Sequence, residues 1–267
     1  MTEQGRKTGA KFDRILVIDP NMATAKMLAN LLRSIWPSAQ VYGAKDTAKA
    51  MALAAEVEPQ LVFVESAGPD LDGMAFTRDF RRSDFACREA PIVMIFAEVT
   101  AAQLLNARDV GVHEFMRRPI TMGDLQKRLE AVSGRARDWI EAVEYVGPDR
   151  RRFNSADFRG PKKRRSDGSV KIKKMNQALR IIMSATNQIE ADPVQATRAL
   201  HTQARLLIEL SAGSDQYKRL GVAATYLKAY LQTVAQQGAA PSKDQVETYA
   251  ANVLLVAPED VWPKAAA

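Results

Sequence analysis

The densest chemistry in the chain lies between residues 150 and 174, where eleven lysines and arginines accompany two aspartates. That local charge of +9 exceeds the whole-chain value of +7, so the remaining residues carry −2. Basicity confined to one stretch points to one anionic partner bound at one place. The order of the residues says more than their number. Tyr145-Val-Gly-Pro-Asp-Arg-Arg-Arg152 recurs thirteen residues later as Phe158-Arg-Gly-Pro-Lys-Lys-Arg-Arg165, and Ser166 and Asp167 follow. A nonspecific phosphate binder needs charge alone, in any order. Planar guanidinium groups alternating with isolated carboxylates suit a nucleobase instead. Arginine stacks on rings and donates two hydrogen bonds to guanine O6 and N7. A carboxylate accepts from guanine N1 and N2, and the basic clusters neutralise phosphates. A repeated motif suits a ligand with repeated halves, and cyclic di-GMP has two guanines, two phosphates and a two-fold axis. A solvated basic linker and a DNA- or RNA-binding segment are the competing readings.

A second set of reactive side chains stands at the ends of apolar runs. Arg14 to Asp19, Leu61 to Val64, Ile92 to Phe96 and Glu114 to Met116 read as buried strands, with a shorter one at Ala39 to Tyr42. Helical patterns follow each, over about 23–35, 47–55, 73–80, 101–110 and 121–142. Five such alternations within about 130 residues predict an α/β domain, a doubly wound five-stranded parallel sheet with helices on both faces. Ligands in such sheets sit at the carboxyl ends of the strands. Asp19, Glu65 and Arg118 are placed there, and Arg118 can hold Glu65 bidentately.

Beyond this domain the pattern changes. Residues 146–169 are rich in Gly, Pro, Arg, Lys and Asp and cannot bury a core, so they are expected to stay flexible until they bind something. Four helices are predicted near 170–190, 194–211, 215–236 and 243–256, a small all-α bundle, with residues 261–267 as a tail. The domain expectation is therefore 12–143, 144–169 and 170–258. A 46% apolar composition is that of an ordinary soluble protein. The single cysteine, Cys87, excludes an intrachain disulfide and fits a reducing compartment. The first ten residues hold no apolar leader and no run is long enough to span a membrane, so the expectation is cytoplasmic.

The strand ends resemble those of CheY-like receiver domains of two-component response regulators. Val17-Ile-Asp-Pro-Asn21 is similar to the family's first-strand motif. Glu65-Ser-Ala-Gly-Pro69-Asp-Leu-Asp72-Gly73 is similar to the phosphoacceptor strand and its loop. Pro91 to Ala97 resembles the fourth strand, and Arg117-Arg118-Pro119-Ile120 the close of the fifth. The resemblance implies a pocket in which Glu65 replaces the phosphoacceptor aspartate, Pro20 an acidic metal ligand, Phe96 the hydroxyl residue and Arg118 the lysine. Magnesium needs hard oxygen ligands, which proline lacks. The resemblance thus implies a degenerate pocket with no metal, either locked in a phosphomimetic-like state or serving as a docking scaffold.

The run from Arg151 to Asp167 resembles the arginine-rich segment of the cyclic di-GMP-binding CheY-like regulators of alphaproteobacteria. That resemblance implies Arg151, Asp157, Arg164 and Asp167 as base readers, supported by Arg152, Ser155, Arg159, Gly160, Arg165 and Ser166. It further implies a protein partner such as the flagellar motor or a two-component protein, although the extra helical region departs from the family. His201 lies on a predicted helix and reads as structural, and His113 has no second histidine or cysteine near it for a metal site. No catalytic triad, Walker motif or enzymatic carboxylate pair is present. The expectation is a non-enzymatic signalling adaptor with no required cofactor and cyclic di-GMP as regulatory ligand. DNA is a less favoured partner. The runner-up is a ligand-independent two-component scaffold.

Overall fold

The computed structural model describes residues 12–134, 137–150 and 167–262, with only the backbone of 167–169. These divide into two compact units, one of residues 12–140 with 145–150 and one of 141–144 with 167–262.

The first unit carries β1 (Arg14–Ile18), α1 (Met22–Ile35), β2 (Gln40–Ala44), α2 (Thr47–Val57) and β3 (Leu61–Glu65). A short β4 (Ala67–Gly68) and β5 (Leu71–Asp72) lead into α3 (Gly73–Arg82). Then come β6 (Ile92–Phe96), α4 (Ala101–Asp109), β7 (Glu114–Arg117) and α5 (Met122–Gly134). The parallel sheet has the order β2-β1-β3-β6-β7. The predicted doubly wound sheet is therefore found. Every residue of β3 and β6 is buried, which is why both read as unbroken apolar runs rather than alternations. The two-residue period sends Val62, Val64, Met94 and Phe96 to one core with Phe76 and Phe80. It sends Leu61, Phe63, Val93 and Ile95 to the other, with Leu28, Leu32, Leu125 and Leu129.

Helix starts follow from local chemistry. Asn21 caps α1 by accepting from the Ala23 and Thr24 amides, Asp46 caps α2 and Asp72 caps α3. A reciprocal Thr100–Gln103 capping box opens α4.

The last helix of this unit ends at Gly134, not near 142. Trp139–Glu141 forms β8, which pairs with β9 (Val146–Pro148). The leucine spacing of α5 stops at Leu129, and packing decides the rest. The Trp139 ring lies 5.4 Å from the Arg81 guanidinium carbon and 5.8 Å from that of Arg88. Residues 146–148, expected as part of a flexible segment, are buried, as is Tyr145 before them. The Tyr145 hydroxyl donates to the Pro148 carbonyl at 2.5 Å. Gly147 has φ of +155°, and a Cβ there would stand 2.8 Å from the Gly111 Cα. Its glycine identity is thus set by close backbone approach.

The second unit holds α6 (Asp167–Asn187), α7 (Pro193–Ser211), a 3₁₀ turn, α8 (Lys218–Gln236) and α9 (Lys243–Leu255). They close a ring in which α6 meets α7 and α9, and α8 meets α7 and α9. The core is leucine- and alanine-rich, including Leu179, Leu200, Leu207, Leu220 and Leu227. Val143 joins it, and Glu141 is fully buried here, accepting from the Gln195 side chain at 2.7 Å. The expected tail begins later than residue 261. Val261 is buried and its carbonyl accepts from the Asn176 side chain at 2.6 Å. One valine and one tryptophan are too short a run to show periodicity.

Candidate functional site

Three charged side chains meet at the carboxyl ends of the sheet strands. Asp19 follows β1, Glu65 ends β3 and Arg118 follows β7. Parallel pairing in register brings these ends together, although 99 residues separate Asp19 from Arg118. The Arg118 amide donates to the Phe96 carbonyl at 2.9 Å, fixing its backbone to the end of β6. Its side chain then reaches across. Nη2 donates to Asp19 Oδ2 at 2.7 Å and to Glu65 Oε2 at 2.7 Å, and Nε donates to the same Glu65 oxygen at 3.1 Å. The bidentate grip on Glu65 expected from the sequence is therefore not a fork on two oxygens. The guanidinium shares itself between two carboxylates and converges on one oxygen of Glu65.

Asp19 is fully engaged. Its Oδ1 accepts from the Asn21 amide at 2.8 Å, and its Oδ2 also accepts from the Thr24 hydroxyl at 2.5 Å. Both carboxylates are buried, at 5% and 7% exposure. Burial raises the pKa of Glu65, the Arg118 hydrogen bond and charge pull it back, and Asp19 adds to the rise. Burial alone would lower that of Arg118, but its two carboxylate partners hold it above the ordinary guanidinium value. The trio sets two carboxylates against one guanidinium.

Of the five positions singled out by sequence, the fold brings Asp19, Glu65 and Arg118 into contact. Pro20 stands beside them and packs on the following loop: a Cβ at Gly68 would lie 2.6 Å from its Cγ. Phe96 has no exposure and belongs to the core shared with Phe76 and Phe80. Thr24 was not anticipated. Its signal was its place three residues after the helix cap Asn21, where a hydroxyl can turn back toward the strand end. Among the described residues, no three His, Cys, Asp or Glu side chains gather as a metal site would require.

The arginine-rich candidates Arg151, Arg152, Ser155, Asp157, Arg159, Gly160, Arg164, Arg165 and Ser166 lie outside the described residues. Asp167 is the first residue of α6, described as backbone. The neighbouring Arg150 is described: it donates to Asp109 at 2.9 Å and lies 4.3 Å from the Tyr145 ring centre. His113 is partly buried against Arg81, and no described helix is long and apolar enough to cross a membrane.

Comparison with known proteins places these observations. Over 115 residues the chain is 25% identical to the KDP operon transcriptional regulatory protein KdpE of Escherichia coli, covering 43% of this chain and 48% of that protein. Over 121 residues it is 24% identical to chemotaxis protein CheY1 of Helicobacter pylori, covering 45% of this chain and 97% of CheY1. The match thus spans about half of KdpE, and 34% of a protein-glutamate methylesterase of Trichodesmium erythraeum. The solved structure of Vibrio cholerae CheY4 aligns with a TM-score of 0.42 and 20% identity over 46% of this chain and 99% of that one. The model of the response regulator receiver domain matches residues 15–130, which span the parallel sheet, the Asp19–Glu65–Arg118 trio and the helices that frame them. Residues 15–130 are a response regulator receiver domain.

Proposed function

We propose that the chain is a non-enzymatic, cytoplasmic signalling adaptor whose receiver does not accept a phosphoryl group and whose arginine-rich segment binds cyclic di-GMP. The observation that carries the first half is the Arg118 guanidinium lying between Asp19 and Glu65. A receiver pocket implies a divalent cation, and the donors here do not fit one. Both Asp19 oxygens already accept hydrogen bonds, Pro20 offers no side-chain oxygen, and a cation already bridges the carboxylates. The buried Phe96 offers no hydroxyl to a phosphoryl oxygen. Incubation with acetyl phosphate and magnesium is expected to leave the intact mass unchanged; a phosphoryl adduct on Glu65 would overturn this half.

The second half rests on the order of residues from Arg151 to Asp167, with guanidiniums and carboxylates spaced to read two guanines and neutralise two phosphates. The ligand orders this segment, and the receiver passes the change to a protein partner of motility or two-component control. Calorimetry is expected to show saturable binding of cyclic di-GMP that is lost in Arg151→Ala and Asp157→Ala. Equal affinity for GTP and duplex DNA, falling steeply with salt, would reduce the segment to a nonspecific polyanion binder.

A further inference from the structure

A groove on the receiver runs between α1 and the edge strand β2, with a volume of about 450 Å³. Small residues make it. On the α1-facing side, β2 presents Val41 and then Gly43, and α1 presents Ala25 and Ala29. A Cβ added at Gly43 would meet nothing within 4 Å, so the space is open for lack of a side chain. Glycine weakens a strand interior, and a recurrent reason for one is close approach of a ligand. Gly43 has no positive φ to explain it.

The rim is cationic. Lys26, Arg33, Lys45 and Lys49 line the groove, all exposed, and none pairs with a carboxylate among the described residues. The one carboxylate in the described lining is Asp19, whose oxygens are taken by Asn21, Thr24 and Arg118. The charges are also arranged. α1 runs back along the sheet from the strand ends, so Lys26 near its start lies at the end where Lys45 and Lys49 follow β2. Arg33 stands seven residues further on, about 10 Å along the helix. Three ammonium groups at one end suit a phosphate chain, small apolar residues between suit a flat body, and a guanidinium at the far end can stack on it. The volume is that of a small-molecule site.

We infer that the groove between α1 and β2 binds a small polyanion with a flat aromatic body, of the nucleoside phosphate class, at a site separate from the arginine-rich segment. The probe is ATP added to the isotope-labelled full chain, followed by amide chemical shifts, with adenosine and tripolyphosphate as separate arms. Saturable ATP-dependent shifts are expected at Gly43, Ala44, Lys45 and along α1, with adenosine and tripolyphosphate each at least tenfold weaker. Gly43→Leu, which fills the open space and favours the strand, is expected to keep the parent melting temperature and weaken ATP binding at least tenfold. Lys45→Glu with Lys49→Glu is expected to do the same, and Lys228→Glu in the helical unit to leave binding unchanged. Several results would overturn the site: no saturable shifts, tripolyphosphate binding as tightly as ATP, shifts confined to residues 150–174, or ATP affinity unaltered by a folded Gly43→Leu protein.

Discussion

Two guanidinium groups close the receiver sheet at its opposite ends, and they are satisfied by different means. Arg118, at the carboxyl ends, bridges the carboxylates of Asp19 and Glu65 and keeps 22% of its side chain exposed. Arg81, at the amino ends, is 1% exposed, and its hydrogen-bond partners among the described residues are neutral. Nε and Nη2 donate to the Gly111 carbonyl at 3.1 and 3.0 Å, Nη1 donates to the Arg88 and Ala90 carbonyls at 2.5 and 2.8 Å, and Nη2 faces His113 Nδ1 at 3.1 Å. Burial pulls the pKa of Arg81 down to about 9, whereas carboxylates hold that of Arg118 up. A cation surrounded by neutral acceptors ties three chain segments together and leaves no N–H donor over for a ligand. A cation between carboxylates occupies a place where charge can be exchanged, which is where the sheet topology puts ligands. The first arrangement belongs to scaffold and the second to a site.

The contrast is most severely tested at Arg81. Arg81→Met removes five contacts to neutral acceptors and strands the carbonyls of Gly111, Arg88 and Ala90 in the interior. Unfolding in urea is expected to show a loss of about 3 kcal/mol or more. A loss under about 1 kcal/mol would mean that those carbonyls find water, and that Arg81 is no keystone. Arg118→Met leaves two buried carboxylates facing each other without a counter-ion, a cost of about 2 kcal/mol at neutral pH given the partial exposure of the pair. This deficit is expected to shrink as pH falls and Glu65, whose pKa burial already raises, takes up a proton. A deficit independent of pH would make Arg118 a packing residue like Arg81, and the distinction between the two ends would fail.

The sequence showed one end of this sheet far better than the other. Asp19, Glu65 and Arg118 were legible because each directly follows or ends an apolar run, and strand ends of a parallel sheet converge. That Arg118 would divide its nitrogens between two carboxylates was not legible, since side-chain geometry depends on backbone placement across 99 residues. Arg81 gave no signal at all. It sits beside Arg82 on a helix that reads as amphipathic, and its burial depends on loops from Arg88 to Pro91 and Gly111 to His113 folding over it. The hairpin of β8 and β9 was hidden for the same reason, since Trp139 completes the cover over Arg81. The bundle helices were plain from periodicity and from the breaks at Pro193 and Gly213.

The smallest effect separates the two guanidiniums by their titratable neighbours. His113 is partly buried, and its Nδ1 accepts from the Ile92 amide at 3.3 Å while facing Arg81. Burial is the main reason its pKa lies well below the ordinary value, and the charges of Arg81 and Arg137 lower it further. The folded state therefore binds fewer protons than the unfolded state between the depressed pKa and about 6.5. Stability is present in full above that upper limit and is lost as pH falls below it, by at most about 1.4 kcal/mol per pH unit. Replacing His113 with glutamine, whose side-chain carbonyl can still accept from Arg81, removes the titration. Urea unfolding at pH 7.5, 6.5 and 5.5 is expected to show a wild-type decline that is shallower in His113→Gln by up to that slope. The raised pKa of Glu65 acts in the opposite sense, but equally in both proteins, so the difference between them isolates the histidine. Parallel pH profiles for the two proteins would show that the amino end of the sheet admits a proton beside Arg81, and that its neutral lining is not what holds that cation in place.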